Sequence, residues 1–302
     1  MKRQHGSLRY LQFFGWFVAA WLAVTERTGH AHPNSCASAP LSDLLAIEYT
    51  SSWHAYEQLS CLETRFRVAH DRRAVFLSVY ALTTRRIAES VDAGYFEDSA
   101  WVAEYQTRFA NYYRRALQHY ERGQRRRVPR AWLAAFDSAL SGQTLILQDA
   151  LLGMNAHINF DLAYAVRDVQ LGPDRARAYR DHTRINDVLL RIMDEVQTAL
   201  GQLYGPGMRE LDVAFGHLDE RVFGGSIIVA RQIAWQHAEW LAAGEWWWQR
   251  QWMDWWMDET SGGIAGMLLG VSLEPGIRAE LRRREGSDPT SEFCRHFPCA
   301  DA

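Results

Sequence analysis

His157 and Asp161 stand four residues apart in the stretch LLGMNAHINFDL, residues 151–162. On a helix that spacing puts an imidazole and a carboxylate on one face, within reach of each other. The stretch is apolar nearly all round, so its helix belongs inside the protein, where an unpaired charge is very costly. The pair can serve in several ways. It can give a nitrogen and an oxygen to a divalent ion, zinc first among them, with further ligands from another helix. It can close a buried hydrogen-bond network. It can also do acid–base work or contact a ligand without metal.

At 100° per residue the same helix carries two polar stripes. Asp149, Gly153, His157, Asp161, Tyr164 and Asp168 share one side, and Gln148, Asn155 and Asn159 lie nearly opposite. The ionisable stripe makes His157 and Asp161 the primary site, with Asp149 in support and Gly153 leaving room for a close approach. The amide stripe, Asn155 included, suits hydrogen bonds to neighbouring backbone. A second helix offers Asp181 and His182 on its core-facing side, with Asn186 at the margin and Asp187 turned away. Arg231 falls inside the apolar stripe Ile227, Ala230, Ala234, Ala238, Leu241, which His237 borders. A guanidinium there needs a carboxylate, Asp161 or Asp181, or a substrate anion. The candidate catalytic set is His157, Asp161 and Arg231. The candidate set for one divalent ion is His157, Asp161, Asp181 and His182.

Holding these side chains takes helices, and the chain reads as helix almost throughout. Asp71 can cap a helix whose apolar positions Phe76, Tyr80, Thr83, Ile87 and Val91 recur at three and four; Gly94 ends it. Asp98 or Ser99 opens the next, with Trp101, Tyr105, Phe109, Tyr112, Ala116 and Tyr120 on one side, and Gly123 closes it. Pro129 fits the first turn of a short helix ending near Leu140. The motif helix spans about 143–170 and stops at Gly172 and Pro173. Further helices are expected over 174–203, 208–223 and 226–243, the last led in by Gly224 and Gly225. A Trp-rich helix follows Gly244, broken or bent at Gly262 and Gly263. No alternating strand pattern of useful length and no repeat appears. The expectation is an all-α, single-domain, multi-helix bundle, with a buried central helix at about 143–170 and a core over about 71–270.

LLGMNAHINFDL is similar to the core motif of an uncharacterised, mainly bacterial all-helical family, a domain of unknown function. AVFLSVY (74–80), FED (96–98), FANY (109–112) and NDVLL (186–190) look like it too, over about 71–241. The resemblance implies an all-helical fold and a site at the motif. It implies no chemistry.

The chain has 302 residues, with Pro and Gly too scattered to mark a linker, and a formal charge of −3. That charge argues against a nucleic-acid partner, which would need a basic surface. The basic run 122–130 lies between helices and reads as a solvated loop, with an anion or lipid-headgroup patch as the alternative. At the N-terminus Lys2, Arg3 and Arg9 precede an uncharged run at 10–25, and small residues follow at Gly29 and Ala31. This is the grammar of a signal peptide, residues 1–31, exporting 32–302 to the periplasm or medium. The run is shorter than the ~20 residues a spanning helix wants, although an uncleaved anchor is the alternative. In an oxidising compartment Cys36, Cys61, Cys294 and Cys299 favour disulfides over a metal clip. Cys36–Cys61 with Cys294–Cys299 is the most local pairing, and cross-pairing of the two termini is the rival.

Residues 245–257, EWWWQRQWMDWWM, put Trp248, Trp252, Trp255 and Trp256 on one helical face. That face can pack on the bundle, lie in a membrane interface, or form a platform for an aromatic or lipid substrate. Helical zinc-dependent phospholipases and nucleases use similar His/Asp pairs, but none of their longer motifs is present. No Gly-x-Ser-x-Gly, Walker or dinucleotide fingerprint occurs. The expected function is an exported, metal-dependent hydrolase of a lipid or phosphoester-like substrate. The alternative is a non-enzymatic protein that binds a small hydrophobic ligand or a membrane surface, with the His/Asp pair structural.

Overall fold

The computed structural model describes residues 33–169, 174–215, 220–243 and 246–299. Its helices are α1 (Pro33–Ser38), α2 (Leu41–Ala46), α3 (Ser52–Val68), α4 (Arg73–Asp92), α5 (Ser99–Glu121), α6 (Arg130–Ser141) and α7 (Ile146–Ala156). They continue as α8 (Leu162–Asp168), α9 (Arg175–Tyr204), α10 (Met208–Ala214), α11 (Glu220–Ala243), α12 (Trp247–Gly270), α13 (Pro275–Glu285) and α14 (Pro289–Cys294). No strand occurs among the described residues, and the protein is all-α.

Local chemistry sets several of these starts. A first helical turn leaves backbone N–H groups without partners, and a short polar side chain ahead of it can accept from them. Ser51 accepts from His54 N–H ahead of α3, Asp98 from Trp101 N–H ahead of α5, and Asp174 from Arg177 N–H ahead of α9. The start of α7 is closed from far away: Glu285, at the end of α13, accepts from Ile146 N–H at 2.7 Å.

The core forms two apolar clusters. One gathers Leu59, Leu62, Phe66, Tyr113, Trp132 and Phe136; the other gathers Tyr105, Ile185, Val196, Leu200, Trp235 and Phe293. α4 feeds both, with Phe76, Leu77 and Tyr80 in the first and Val75, Val79 and Leu82 in the second. The motif helix, α7 with α8, packs against α4, α5, α6, α11 and α12. It is the buried central helix that its all-round apolar sequence predicts.

Boundaries differ from the sequence expectation in places. The core reaches beyond 71–270, because α3 contributes Leu59 and Leu62, and the last helices contribute Leu281 and Phe293. α10 ends at Ala214, and α11 starts at Glu220, so Gly224 and Gly225 lie inside a helix rather than ahead of one. Gly262 and Gly263 do not interrupt α12. A side chain at Gly262 would crowd Arg130, its Cβ 3.1 Å from that of Arg130, so this glycine admits the start of α6. The cysteines pair locally: Cys36–Cys61 ties α1 to α3, and Cys294–Cys299 closes the turn after α14. The expected signal peptide at 1–31 and the helix stop at Gly172 and Pro173 lie outside the described residues. No described helix is long and apolar enough to cross a membrane.

Candidate functional site

The motif helix changes its backbone register at the residues of interest. Between α7 and α8, His157–Asp161 form a π-helical turn, in which Leu162 N–H donates to His157 C=O. Such turns are rare and frequently mark functional sites. His157 and Asp161 are 3 % and 2 % exposed. Nδ1 of His157 lies 2.9 Å from Asp161 Oδ2, and Trp132 donates its indole N–H to the same oxygen at 2.9 Å. Burial dominates both ionisations: it pushes the imidazole pKa down and the carboxyl pKa up, against the attraction between them. An uncharged imidazole that donates Nδ1–H to the carboxylate keeps a lone pair on Nε2. That Nε2 is buried and has no hydrogen-bond partner.

His157 lines a cavity of about 70 Å³ at the seam between the two core clusters, walled by Phe76, Val79, Ile87, Phe109, Ile158 and Met193. Its ring stacks on Phe109, with centroids 3.5 Å apart and planes within 7°, and meets Tyr80 edge-on at 4.4 Å. Tyr80 and Gln106 also line the cavity. The Tyr80 hydroxyl, Gln106 Oε1 and His157 Nε2 are each buried without a hydrogen-bond partner. Buried polar atoms are nearly always paired in native proteins. All three belong to residues that line one cavity.

Arg231 lines the same cavity and is 4 % exposed. Its Nε donates to Asn186 Oδ1 at 2.7 Å and its Nη2 to the His182 carbonyl at 2.7 Å. No carboxylate among the described residues pairs with it; neither Asp161 nor Asp181 takes the part expected of them. Burial pushes its pKa down, opposed by the neighbouring Tyr105. Arg72 is the contrast: also buried, it donates to Asp149 Oδ2 at 2.7 Å and to Glu285 Oε2 at 3.5 Å. Arg114 also lacks an ion pair, but it bonds the Leu45 carbonyl and Asn111, faces Tyr49, and is no part of this cavity's wall.

The other expected site residues have separate tasks. Asp181 accepts backbone N–H bonds from Glu97 at 2.9 Å and Asp98 at 2.7 Å, pinning the chain ahead of α5. His182 faces the Tyr105 hydroxyl through Nδ1 at 3.1 Å and the Arg231 carbonyl through Nε2 at 3.2 Å. Asp149 belongs to a buried network with Arg72, Thr144, Glu285 and Tyr204. Burial raises its pKa to about 6 against the pull of Arg72. Asn155 donates to the Ser261 carbonyl at 2.9 Å, so the amide stripe fastens the motif helix to α12. Asn186 holds Arg231. His157 and Asp161 come together, but Asp181 and His182 do not join them at one point. Among the described residues the one convergent His/Cys/Asp/Glu group is Glu63, Cys294 and Cys299, and its two sulfurs are bonded to each other. The four residues expected around one ion do not fit that role as they are placed.

Sequence reasoning missed Trp132, Tyr80, Gln106 and Phe109. Tyr80 and Phe109 sit in the stretches that resemble the helical family, which was the available signal. Trp132 carried none beyond its place in the first turn after Pro129. The room at Gly153 is filled from within: a Cβ there would fall 2.8 Å from Phe76 Cβ, so the glycine admits the Phe76 ring. Residues 54–271 match the model of DUF5995, a family of unknown function. No curated protein and no solved structure matches the chain.

Proposed function

The chain belongs to DUF5995, whose function is unknown, and on that footing we propose that it binds a compact apolar molecule carrying one carboxylate. The observation that carries this reading is Arg231, a buried cation in the cavity wall with no carboxylate partner among the described residues. A bound anion would supply the missing counter-charge, and charge-assisted bonds to a guanidinium are the strong ones. The apolar walls take the rest of the molecule, and Tyr80, Gln106 and His157 offer it polar contacts. Size narrows the class. About 70 Å³ is less than the ~150 Å³ apolar cavity that accepts benzene in another protein. A short or branched aliphatic acid suits the space better than a long acyl chain.

Calorimetric titration with butyrate, isobutyrate and hexanoate, beside the matching alcohols, tests the reading. Butyrate and isobutyrate are expected to bind and raise the melting temperature, hexanoate to bind more weakly than either, and the alcohols to do neither. Equal effects of acids and alcohols, or no effect from either series, refute it.

His157 supports a second reading, in which the bound molecule is also a substrate. With Nδ1 held by Asp161 and Nε2 unpartnered at the cavity, the imidazole has the arrangement of a general base. Metal-free turnover with a pH profile that His157→Gln abolishes would establish it; turnover unchanged by that substitution would remove it. The disulfides support a place for the protein in an oxidising compartment, reached through residues 1–31 as a cleaved signal peptide, with an uncleaved anchor as the alternative. Mass analysis of the envelope and secreted fractions should find a chain beginning near residue 32. Intact Met1 in a soluble cytosolic pool rules export out.

A further inference from the structure

Three tryptophans of this protein have an acceptor for the indole N–H. Trp132 donates to Asp161 at 2.9 Å, Trp235 to Glu239 at 2.6 Å and Trp53 to Asp92 at 2.8 Å. A second population behaves differently. Trp240, at the end of α11, and Trp246, Trp247, Trp248, Trp252, Trp255 and Trp256, on or just before α12, are between 42 and 70 % exposed. None of these indoles donates to a described residue. α12 turns Met253, Met257, Ser261 and Ala265 to the core, so the aromatic face does not pack on the bundle. Val229 and Ile233 of α11 are exposed as well.

Between the end of α11 and the start of α12 lies a groove of about 680 Å³, lined by Trp240, Trp248, Trp252, Arg175, Arg250 and Glu239. Glu239 is engaged by Arg175 and by Trp235. Arg250 has no partner among the described residues, and among those lining the groove the positive charges outnumber the negative by one. The acids of α12 are taken by the protein: Asp254 accepts from the Tyr164 hydroxyl, Asp258 from the Arg130 backbone, and Glu259 pairs with the Arg130 side chain.

We propose that this face seats on a phospholipid bilayer, with the indoles at the boundary between headgroups and acyl chains and Arg250 on a lipid phosphate. Indole is apolar over its body and donates at one edge, which suits it to that boundary. A dry protein partner would have to supply an acceptor for each indole N–H, whereas the interface supplies water and ester carbonyls. No described helix is apolar enough to span, so α12 would lie in the plane of the surface.

The test compares the chain from residue 32, as the export reading has it, with its Trp248→Gln, Trp252→Gln, Trp255→Gln, Trp256→Gln variant and its Arg250→Gln variant. None of the three carries the apolar run 10–25 or its Trp16 and Trp21, so neither anchoring nor quenching can come from that segment. The probes are phosphatidylcholine vesicles with and without phosphatidylglycerol, prepared with and without brominated acyl chains. Circular dichroism checks that the variants fold. Brominated lipid is expected to quench the wild-type fluorescence strongly and to spare most of what the quadruple variant retains. Vesicle affinity should fall by about tenfold or more in that variant, and Arg250→Gln should weaken binding to the anionic vesicles. Indoles equally open to aqueous acrylamide with and without vesicles overturn the proposal. So does equal bromolipid quenching of wild type and quadruple variant. A dimer that forms without lipid and is lost in that variant overturns it too, by assigning the face to a second copy.

Discussion

Replacing Arg231 by methionine should separate a cation kept for a ligand from a cation kept for the fold. Two costs compete in the free protein. Asn186 Oδ1 and the His182 carbonyl lose their donors, at about 1–3 kcal/mol for each acceptor left unsatisfied. Against this, an ion whose burial costs several kcal/mol is removed, and no opposite charge is stranded. The two nearly cancel, so Arg231→Met should change stability by no more than about 2 kcal/mol in either direction. Arg72→Met is the internal comparison, because it strands Asp149 and Glu285 without their cation. Breaking a buried pair in that way costs about 3–5 kcal/mol. Carboxylate binding should behave in the opposite order. Losing a charge-assisted bond in a water-excluded site is worth about 2 kcal/mol or more, roughly a 30-fold loss of affinity for isobutyrate. Urea denaturation with and without the acid, joined to calorimetric titration, reads both quantities. If Arg231→Met proves as unstable as Arg72→Met and the acid titrates unchanged, Arg231 is a strut and the proposed site is wrong.

Asp149 gives a pH prediction. Its folded pKa is raised from 3.8 to about 6, so its contribution is fully present below pH 4 and is lost as pH rises through 6, about 3 kcal/mol in all. The stability of wild type relative to Asp149→Asn should therefore fall between pH 4 and 7 in urea titrations, and a constant difference would contradict the assignment. Gly153→Ala should cost about 1–3 kcal/mol, because its methyl must displace the Phe76 ring; a neutral result in thermal melts would show that the contact yields. Asp161→Ala strands the Trp132 indole N–H and His157 Nδ1 and should cost about 1–3 kcal/mol per group. Near-normal denaturant stability would mean that water takes the carboxylate's place.

Much of the fold was legible because helices announce themselves locally. Apolar residues at three and four, with Asp98 and Asp174 ahead of their first turns, place α5 and α9 to within a residue or two. An all-round apolar sequence identifies α7 and α8 as central. The π turn was not legible, since it is a change in which carbonyl each N–H meets, with no fixed residue pattern. Beyond the turn, Tyr164 and Asp168 bond Asp254 and Tyr112. The burial of Arg231 could be read from its apolar neighbours. Its missing counter-charge could not, because that depends on what several other helices fail to bring. For the tryptophans, spacing identifies a face but not its direction: the methionines of the same helix took the core.

The bond from Ile146 N–H to Glu285 crosses 139 residues of sequence, and it bears on the order in which the molecule is made. A ribosome releases the chain from its N-terminal end, so the central helix lies complete long before the carboxylate that closes its first turn exists. Arg72 and Asp149 wait for the same arrival, since Glu285 is the other anion in their network. The helix at the heart of the bundle is thus finished by a segment made 139 residues after its own first turn. A nascent chain released before residue 275 should stay loose and protease-sensitive around residues 144–149, and adding α13 should close that stretch in one step.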